Sequence, residues 1–235
     1  ALLFISQKLE EVFAIADRIT ILRDGKYMGT YLTQEMDVQK VISIMVGREV
    51  LFKRVENAAI TKTPLLEVRN LSRKGNYKNI SFTLNEGEIL GLTGLVGAGR
   101  TELCESIFGC TQPDEGDILL NGRKVVIPNT DKAVELGIAF VPEDRQHKGI
   151  ILNNNAEDNI TLNVLKQLVN RLKLVNNSGK RQAAVRWMEK LNVRPAYPDM
   201  IASKFSGGNQ QRIIIAKWLA AHPRVLIIDE PTNGI

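Results

Sequence analysis

Apolar and polar positions divide the chain into a short opening part and a longer part. The opening part starts with an apolar run at residues 2–5, which predicts a buried strand. Residues 47–63 show no apolar periodicity before Pro64, as is typical of a linker. The pattern predicts the end of one domain over residues 1–50, a linker over 51–64 and the larger front part of a second domain over 65–235.

The longer part contains two kinds of strand pattern. Apolar and polar residues alternate over 66–71 and 80–84, which predicts half-buried antiparallel strands. Unbroken apolar runs predict strands buried on both faces, at 89–92, 138–141 and 225–228. A hairpin is predicted at 118–127, and helices at 102–108, 130–137, about 156–192 and 209–221. These elements together predict an α/β domain with an antiparallel appendage.

Composition places the chain among ordinary globular proteins. Hydrophobic residues make up 44% and charged residues 24%, which excludes a disordered tail. The formal net charge of +5 is concentrated in residues 166–194, which hold eight basic residues and one acidic residue. Solvated helix faces explain this spacing, with a partner-facing or membrane-proximal patch as the alternative. Two cysteines are too few for a disulfide framework and indicate a reducing, cytoplasmic setting.

The first chemical motif is residues 94–101, which follow a predicted strand and open a predicted helix. We call this segment the phosphate loop, because it matches the pattern GxxxxGK[ST] with Arg in place of Lys. Its glycines let backbone N–H groups turn towards a phosphate, and the helix N-terminus adds its positive end. The residues expected to contact the nucleotide are Gly94, Gly97, Ala98, Gly99, Arg100 and Thr101. The Thr101 hydroxyl is expected to bind Mg²⁺ as well.

The second motif is the acidic pair Asp229 and Glu230, which ends the last predicted strand. In a P-loop ATPase the first acid holds Mg²⁺, and the second polarises the attacking water. Any strand can end in acidic residues, so the pair alone is a weak signal. It becomes a strong one because the phosphate loop lies upstream. Together the two motifs predict an ATP and Mg²⁺ site with Asp229 as a metal ligand and Glu230 as the catalytic carboxylate that polarises the attacking water.

A third motif, residues 206–212, reads SGGNQQR and lies immediately before a predicted helix. It is a second helix N-terminus suited to an anion, and it resembles the signature of ATP-binding-cassette (ABC) ATPases. The resemblance implies that Ser206, Gly207, Gly208 and Gln210 contact nucleotide. It also implies a P-loop NTPase of ABC type, with a mostly parallel core sheet, the antiparallel appendage and a helical subdomain.

The detailed sequence is similar to the second cassette of the tandem-cassette subunits of bacterial monosaccharide importers. Residues 142–145, PEDR, stand where the family has its glutamine loop, so Glu143 is expected at the nucleotide. The opening part resembles the switch strand, helix and hairpin that end a first cassette. Gln7 stands where the family has a catalytic His, which puts turnover at that site in doubt because glutamine carries no charge.

This resemblance implies a peripheral protein at the cytoplasmic face of the membrane. Its partners are then the transmembrane permease subunits of a sugar importer and, indirectly, a periplasmic or extracellular sugar-binding protein, with no nucleic acid expected. The chain alone is expected to turn over ATP negligibly, because each composite site needs an opposing cassette. Two alternatives stay open, a tandem-cassette ATPase acting on ribosomes or nucleic acid and a nucleotide sensor without turnover. Tyr77 is a candidate for stacking on adenine.

Overall fold

The computed structural model describes residues 1–6, 8–23, 25–47, 61–170 and 174–230. The chain forms two compact units, residues 1–56 and residues 57–235. Most of the predicted linker, and Gln7, lie outside the described residues. None of the helices within the described ranges has the length and apolar content needed to cross a bilayer.

The first unit is a small α/β arrangement. It contains helix α1 (Leu9–Ile15), the antiparallel strands β1 (Arg18–Arg23) and β2 (Lys26–Leu32), and helix α2 (Val38–Val46). The Asp37 side chain caps α2 by accepting a hydrogen bond of 2.7 Å from the Lys40 amide. A small core joins these elements, formed by Val12, Ile19, Ile21, Met36 and Val41.

The strand predicted at residues 2–5 is wrong. These residues form no strand, and Leu2, Leu3 and Ile5 are each more than four-fifths exposed. A strand needs a partner for its backbone groups, and in the described part of this unit β1 and β2 pair only with each other. The apolar run at residues 2–5 therefore pairs with no strand in the described part of this unit.

The second unit contains a four-stranded antiparallel sheet in the order β4-β3-β5-β6. The strands are β3 (Pro64–Arg73), β4 (Tyr77–Asn85), β5 (Glu115–Leu120) and β6 (Arg123–Val125). The predicted hairpin at 118–127 is confirmed, with Asn121 and Gly122 at φ values of 50° and 73° between β5 and β6. Both residues occupy the left-handed region that a tight hairpin turn requires.

Within the described residues, a pair of parallel strands and five α-helices are the other main elements of the second unit. Strand β7 (Ile138–Val141) pairs in parallel with β8 (Val225–Ile228). The helices are α3 (Arg100–Ile107), α4 (Thr130–Glu135), α5 (Ala156–Thr161), α6 (Asn177–Lys190) and α7 (Gly207–Ala220). Asparagine side chains cap α4, α5 and α6 by accepting a backbone N–H of the first turn. The predicted α/β class is confirmed.

The strand predicted at residues 89–92 is wrong. These residues form no strand, and Ile89 is 80% exposed. Among the described residues β8 pairs only with β7, and no strand supplies a ladder to residues 89–92. An apolar run indicates a preference for burial, but a central strand also needs neighbours on its flanks. The phosphate loop therefore follows an irregular segment.

Candidate nucleotide-binding site

The conformation of the phosphate loop depends on two glycines in the left-handed region. Gly97 has φ of 80° and Gly99, which caps α3, has φ of 85°. A Cβ atom on Gly99 would stand 2.5 Å from the carbonyl oxygen of Asn76, a distance that no side chain tolerates. Glycine is therefore required at residue 99 both by backbone geometry and by the space available.

The two side chains that follow Gly99 contact the two acids predicted at the end of β8. The Thr101 hydroxyl donates a hydrogen bond of 2.7 Å to Asp229. Arg100 forms an ion pair of 3.2 Å with Glu230, from Nη1 to Oε1. The fold thus brings together residues about 130 positions apart, as the motifs predict.

Strand pairing places the acids at this site. Asp229 directly follows β8, and its amide donates a hydrogen bond of 2.9 Å to the carbonyl of Val141 at the end of β7. Asp229 is 9% exposed, whereas the Glu230 side chain is 42% exposed. The backbone of Glu230 has φ of 43°, which is unusual for a residue with a side chain. The site therefore contains two adjacent acids, of which Asp229 is buried and Glu230 is more accessible.

Glu143 lies beside this site. It lines a cavity of about 310 Å³ that Thr101, Glu105, Asp144 and Lys148 also line. Lys148 bonds to Glu105 of α3 at 2.7 Å, and this contact raises the pKa of the lysine. Hydrogen bonds from His147 lower the pKa of Asp144. Glu143 and Thr101 thus line one cavity.

The oxygen atoms of Thr101 and Asp229 suit Mg²⁺, which prefers oxygen ligands and retains water and phosphate oxygens around it. Their contact of 2.7 Å shows that both atoms reach one point. The described residues contain no cluster of three or more His, Cys, Asp or Glu side chains able to hold a metal by themselves. The donor set therefore fits a cation that arrives with a nucleotide.

The third motif lies at the start of α7. Ser206 is the N-cap residue of this helix, and its own side chain makes no capping bond. Asn209 donates to the Ser206 hydroxyl oxygen at 2.9 Å and accepts a bond of 2.8 Å from the Arg194 amide. Ser206 is exposed, and Gly207 and Gly208 are partly exposed in the first turn. This turn can therefore meet an anion from outside.

Gln210 has a different position from the one expected of a nucleotide contact. It is 5% exposed, and its amide donates to the carbonyls of Ala202 and Phe205 at 3.2 and 3.1 Å. Its side chain supports the segment before α7 instead of facing solvent. Sequence reasoning missed Asn209, which shares the exposed turn with Ser206; the spacing of three residues on a helix was the available signal.

Tyr77 is not available for stacking on adenine. The residue is 8% exposed and belongs to the main hydrophobic core, and burial raises the pKa of its hydroxyl. Its Cβ atom lies against Gly99, 3.3 Å from where a Cβ on that glycine would stand. Tyr77 therefore supports the phosphate loop from inside the domain. Gln7, the other aligned site residue, lies outside the described residues.

A buried lysine connects α7 to the segment that follows Asp144. Lys217 is 9% exposed, and its ammonium group donates a hydrogen bond of 2.6 Å to the carbonyl of Gly149. Burial lowers the pKa of Lys217 to about 8. Sequence reasoning missed this residue, since lysine is ordinarily a surface residue. The contact fixes α7, whose N-cap is Ser206, to the segment that follows Glu143 and Asp144.

The ABC transporter family profile matches residues 77–233, which include all three motifs. The chain belongs to the ABC transporter family. It is 41% identical over 235 residues to the ribose import ATP-binding protein RbsA of Geobacillus kaustophilus, covering 100% of this chain and 47% of that protein. It is 43% identical over 238 residues to RbsA of Clostridium tetani, covering 100% and 46%. The chain thus spans about half the length of the curated relatives it matches.

Solved structures confirm the fold. A dimer of the ATP-binding cassette MJ0796 in a post-hydrolysis state with ADP and phosphate matches with a TM-score of 0.61 at 22% identity, over 73% of this chain and 76% of that chain. A nucleotide-free cassette from an ABC transporter gives 0.62 at 18% identity, over 73% and 71%. At these identities the likeness concerns the fold alone. The predicted P-loop fold of ABC type is confirmed.

Proposed function

We propose that this chain binds and hydrolyses ATP as part of the ATP-binding subunit of a bacterial monosaccharide importer. The observation that carries this proposal is the meeting of the phosphate loop with the acids after β8. Thr101 contacts Asp229 at 2.7 Å, and Arg100 contacts Glu230 at 3.2 Å. A glycine loop, a hydroxyl and two acids at one point form a set suited to a nucleotide with Mg²⁺.

Each residue in this set has a separate task. Backbone N–H groups from Gly94 to Gly99 and the N-terminus of α3 hold the phosphates, because both present positive charge. Thr101 and Asp229 hold Mg²⁺, which neutralises charge on the phosphates when bound. Glu230 orients the attacking water, since its carboxylate is accessible at the edge of the site. Glu143 lines the same 310 Å³ cavity as Thr101.

The motif at α7 serves a different nucleotide in this proposal. Ser206, Gly207 and Gly208 meet the γ-phosphate bound by a facing cassette, since they form an open helix N-terminus. Asn209 takes the place first given to Gln210, because it contacts the Ser206 hydroxyl while Gln210 is buried. Gln7 is assigned to the same facing site by resemblance alone.

The proposed partners are the transmembrane permease subunits, with a sugar-binding protein acting indirectly at the opposite face. In this proposal the chain lies at the cytoplasmic side of the membrane. The ribose import names of relatives at 41% and 43% identity support the sugar class.

Ion pairs within the basic stretch argue against a nucleic-acid function, because they neutralise part of its positive charge. Lys180 pairs with Glu157 and Asp158, and Arg181 binds Asp199 through two bonds of 2.7 Å.

A second candidate function is nucleotide binding without turnover. The ion pair between Arg100 and Glu230 favours it, because a carboxylate engaged by a guanidinium is less able to act on water. Both candidates require nucleotide binding and differ only in hydrolysis.

Calorimetric titration of the purified chain with ATP and ADP, with and without Mg²⁺, tests the proposal. We expect binding of both nucleotides, tightened by Mg²⁺, together with negligible ATP turnover by the chain alone. A matched variant, Thr101→Val, keeps the side-chain volume and is expected to lose the Mg²⁺ effect while retaining its fold. Absence of nucleotide binding by a folded chain would refute both candidate functions.

A further inference from the structure

Arg100 lies beside the start of the phosphate loop and contacts the acid Glu230. Its Cδ atom lies 3.8 Å from where a Cβ on Gly94 would stand, so its aliphatic stem passes beside the start of the loop. From there one N–H group, on Nη1, reaches Glu230 at 3.2 Å. Arg100 therefore lies between the loop that would receive phosphate and the acid that would act on water.

The chemistry of the guanidinium explains why this position matters. Arginine presents five N–H donors in a planar fork, and carboxylate and phosphate are both ligands of that fork. Lysine has a compact ammonium group that presents a single point of charge. The carboxylate of Glu230 and a phosphate are consequently competing ligands for the same cation.

The backbone of Glu230 supports a functional contact at this point. Its φ of 43° is a conformation that residues with side chains adopt at an energetic cost. Asp229, its neighbour, is held by Val141 and Thr101. The backbone thus turns sharply after Asp229, and this turn brings the Glu230 side chain to Arg100.

We propose that Arg100 is a positioning residue for Glu230: without nucleotide it holds the carboxylate, and a bound phosphate replaces the carboxylate on the guanidinium. This inference rests on the proposed function, since it assigns phosphate to the same site. Release of Glu230 then follows phosphate binding, so the acid becomes available only when the site is filled. Nucleotide affinity is correspondingly reduced by the competing carboxylate.

The test is a double-mutant cycle on ADP binding without Mg²⁺, measured by calorimetry on the purified chain. Both side chains are about one-third or more exposed, so Glu230→Gln should tighten ADP only about two- to fivefold. The matched control is Glu102→Gln, which removes an acid from the first turn of α3 and should change affinity by less than about 1.5-fold. In an Arg100→Ala background, Glu230→Gln should lose most of its effect.

A second measurement follows the ion pair without any ligand. Melting temperatures of the wild type, the two single variants and the Arg100→Ala/Glu230→Gln double variant should be non-additive by about 1–2 °C. The proposal is overturned if ADP binds but Glu230→Gln acts no more strongly than Glu102→Gln, or if its effect persists without Arg100. Absence of ADP binding in every variant would instead contradict the proposed function. If the melting temperatures were additive as well, Arg100 and Glu230 would not interact in the free chain, and the proposal would be overturned too.

Discussion

The two helix N-termini proposed to meet phosphate, at α3 and at α7, are built differently. The α3 terminus depends on contacts with residues about 130 positions away, namely Asp229 and Glu230. At α7, the Ser206 hydroxyl is held by Asn209 within the same turn. The side chains at α3 are therefore set by tertiary structure, whereas those at α7 are set mainly by local structure.

The helices also differ in how they are fixed to the domain. Helix α3 follows a loop that exposes Leu95 and Val96 almost completely. Helix α7 is held by Lys217, which is buried and bonded to Gly149. The phosphate loop is thus exposed and α7 is anchored by a buried contact, and the variants below test each half of that contrast.

The largest effect is expected for Gly99→Ala. The new Cβ would stand 2.5 Å from the Asn76 carbonyl at a φ of 85°, so both the fold and the phosphate loop must adjust. We expect a loss of about 3 kcal/mol in the free energy of unfolding and loss of nucleotide binding. Urea unfolding and calorimetry measure the two effects.

Gly97→Ala is the matched control for this variant. Gly97 has a similar φ of 80°, but no atom lies within 4 Å of a Cβ placed there. Only the left-handed backbone penalty then applies, about 1–2 kcal/mol. Equal losses for the two variants would show that the contact with Asn76 does not determine the loop.

The second prediction concerns Lys217 and pH. Its pKa is lowered to about 8 in the folded chain by burial, whereas an unfolded lysine titrates near 10.4. Below pH 8 both states bind the proton, and the effect is constant. Between about pH 8 and 10.4 the unfolded state binds more protons, so stability should rise with pH by about 1–3 kcal/mol.

Lys217→Met isolates this effect because it retains an apolar stem of similar length. The variant leaves the Gly149 carbonyl without its donor, which costs about 1–3 kcal/mol, and its stability should lack the rise above pH 8. Urea unfolding at pH 7, 8, 9 and 10 compares the two proteins. Parallel pH profiles would show that Lys217 is not the responsible group.

These contacts show which features could be predicted from sequence. The motifs located the phosphate loop, Asp229 and Glu230, because glycine spacing and strand-terminal acids are local patterns. Which side chain of the loop meets which acid depends on the pairing of β7 and β8, which no local pattern contains. The burial of Lys217 and Gln210 depends on helix packing in the same way. At residues 89–92 the apolar pattern was present, but no strand in the described part of the chain pairs with them.

The smallest effect is expected at Asn209, which contacts both the first turn of α7 and the Arg194 amide. Asn209→Ala removes the bonds to Ser206 and to the Arg194 amide, so the free energy of unfolding should fall by about 1–2 kcal/mol. Asn209→Asp keeps an acceptor for the Arg194 amide and offers one to the Ser206 hydroxyl, which can donate in place of the lost amide donor, so it should cost less than half as much. Urea unfolding measures both losses, with Ser206→Ala as the control that removes the serine partner. If Asn209→Asp were as damaging as Asn209→Ala, an acceptor at residue 209 would not stabilise the turn, and these two hydrogen bonds would not account for the loss.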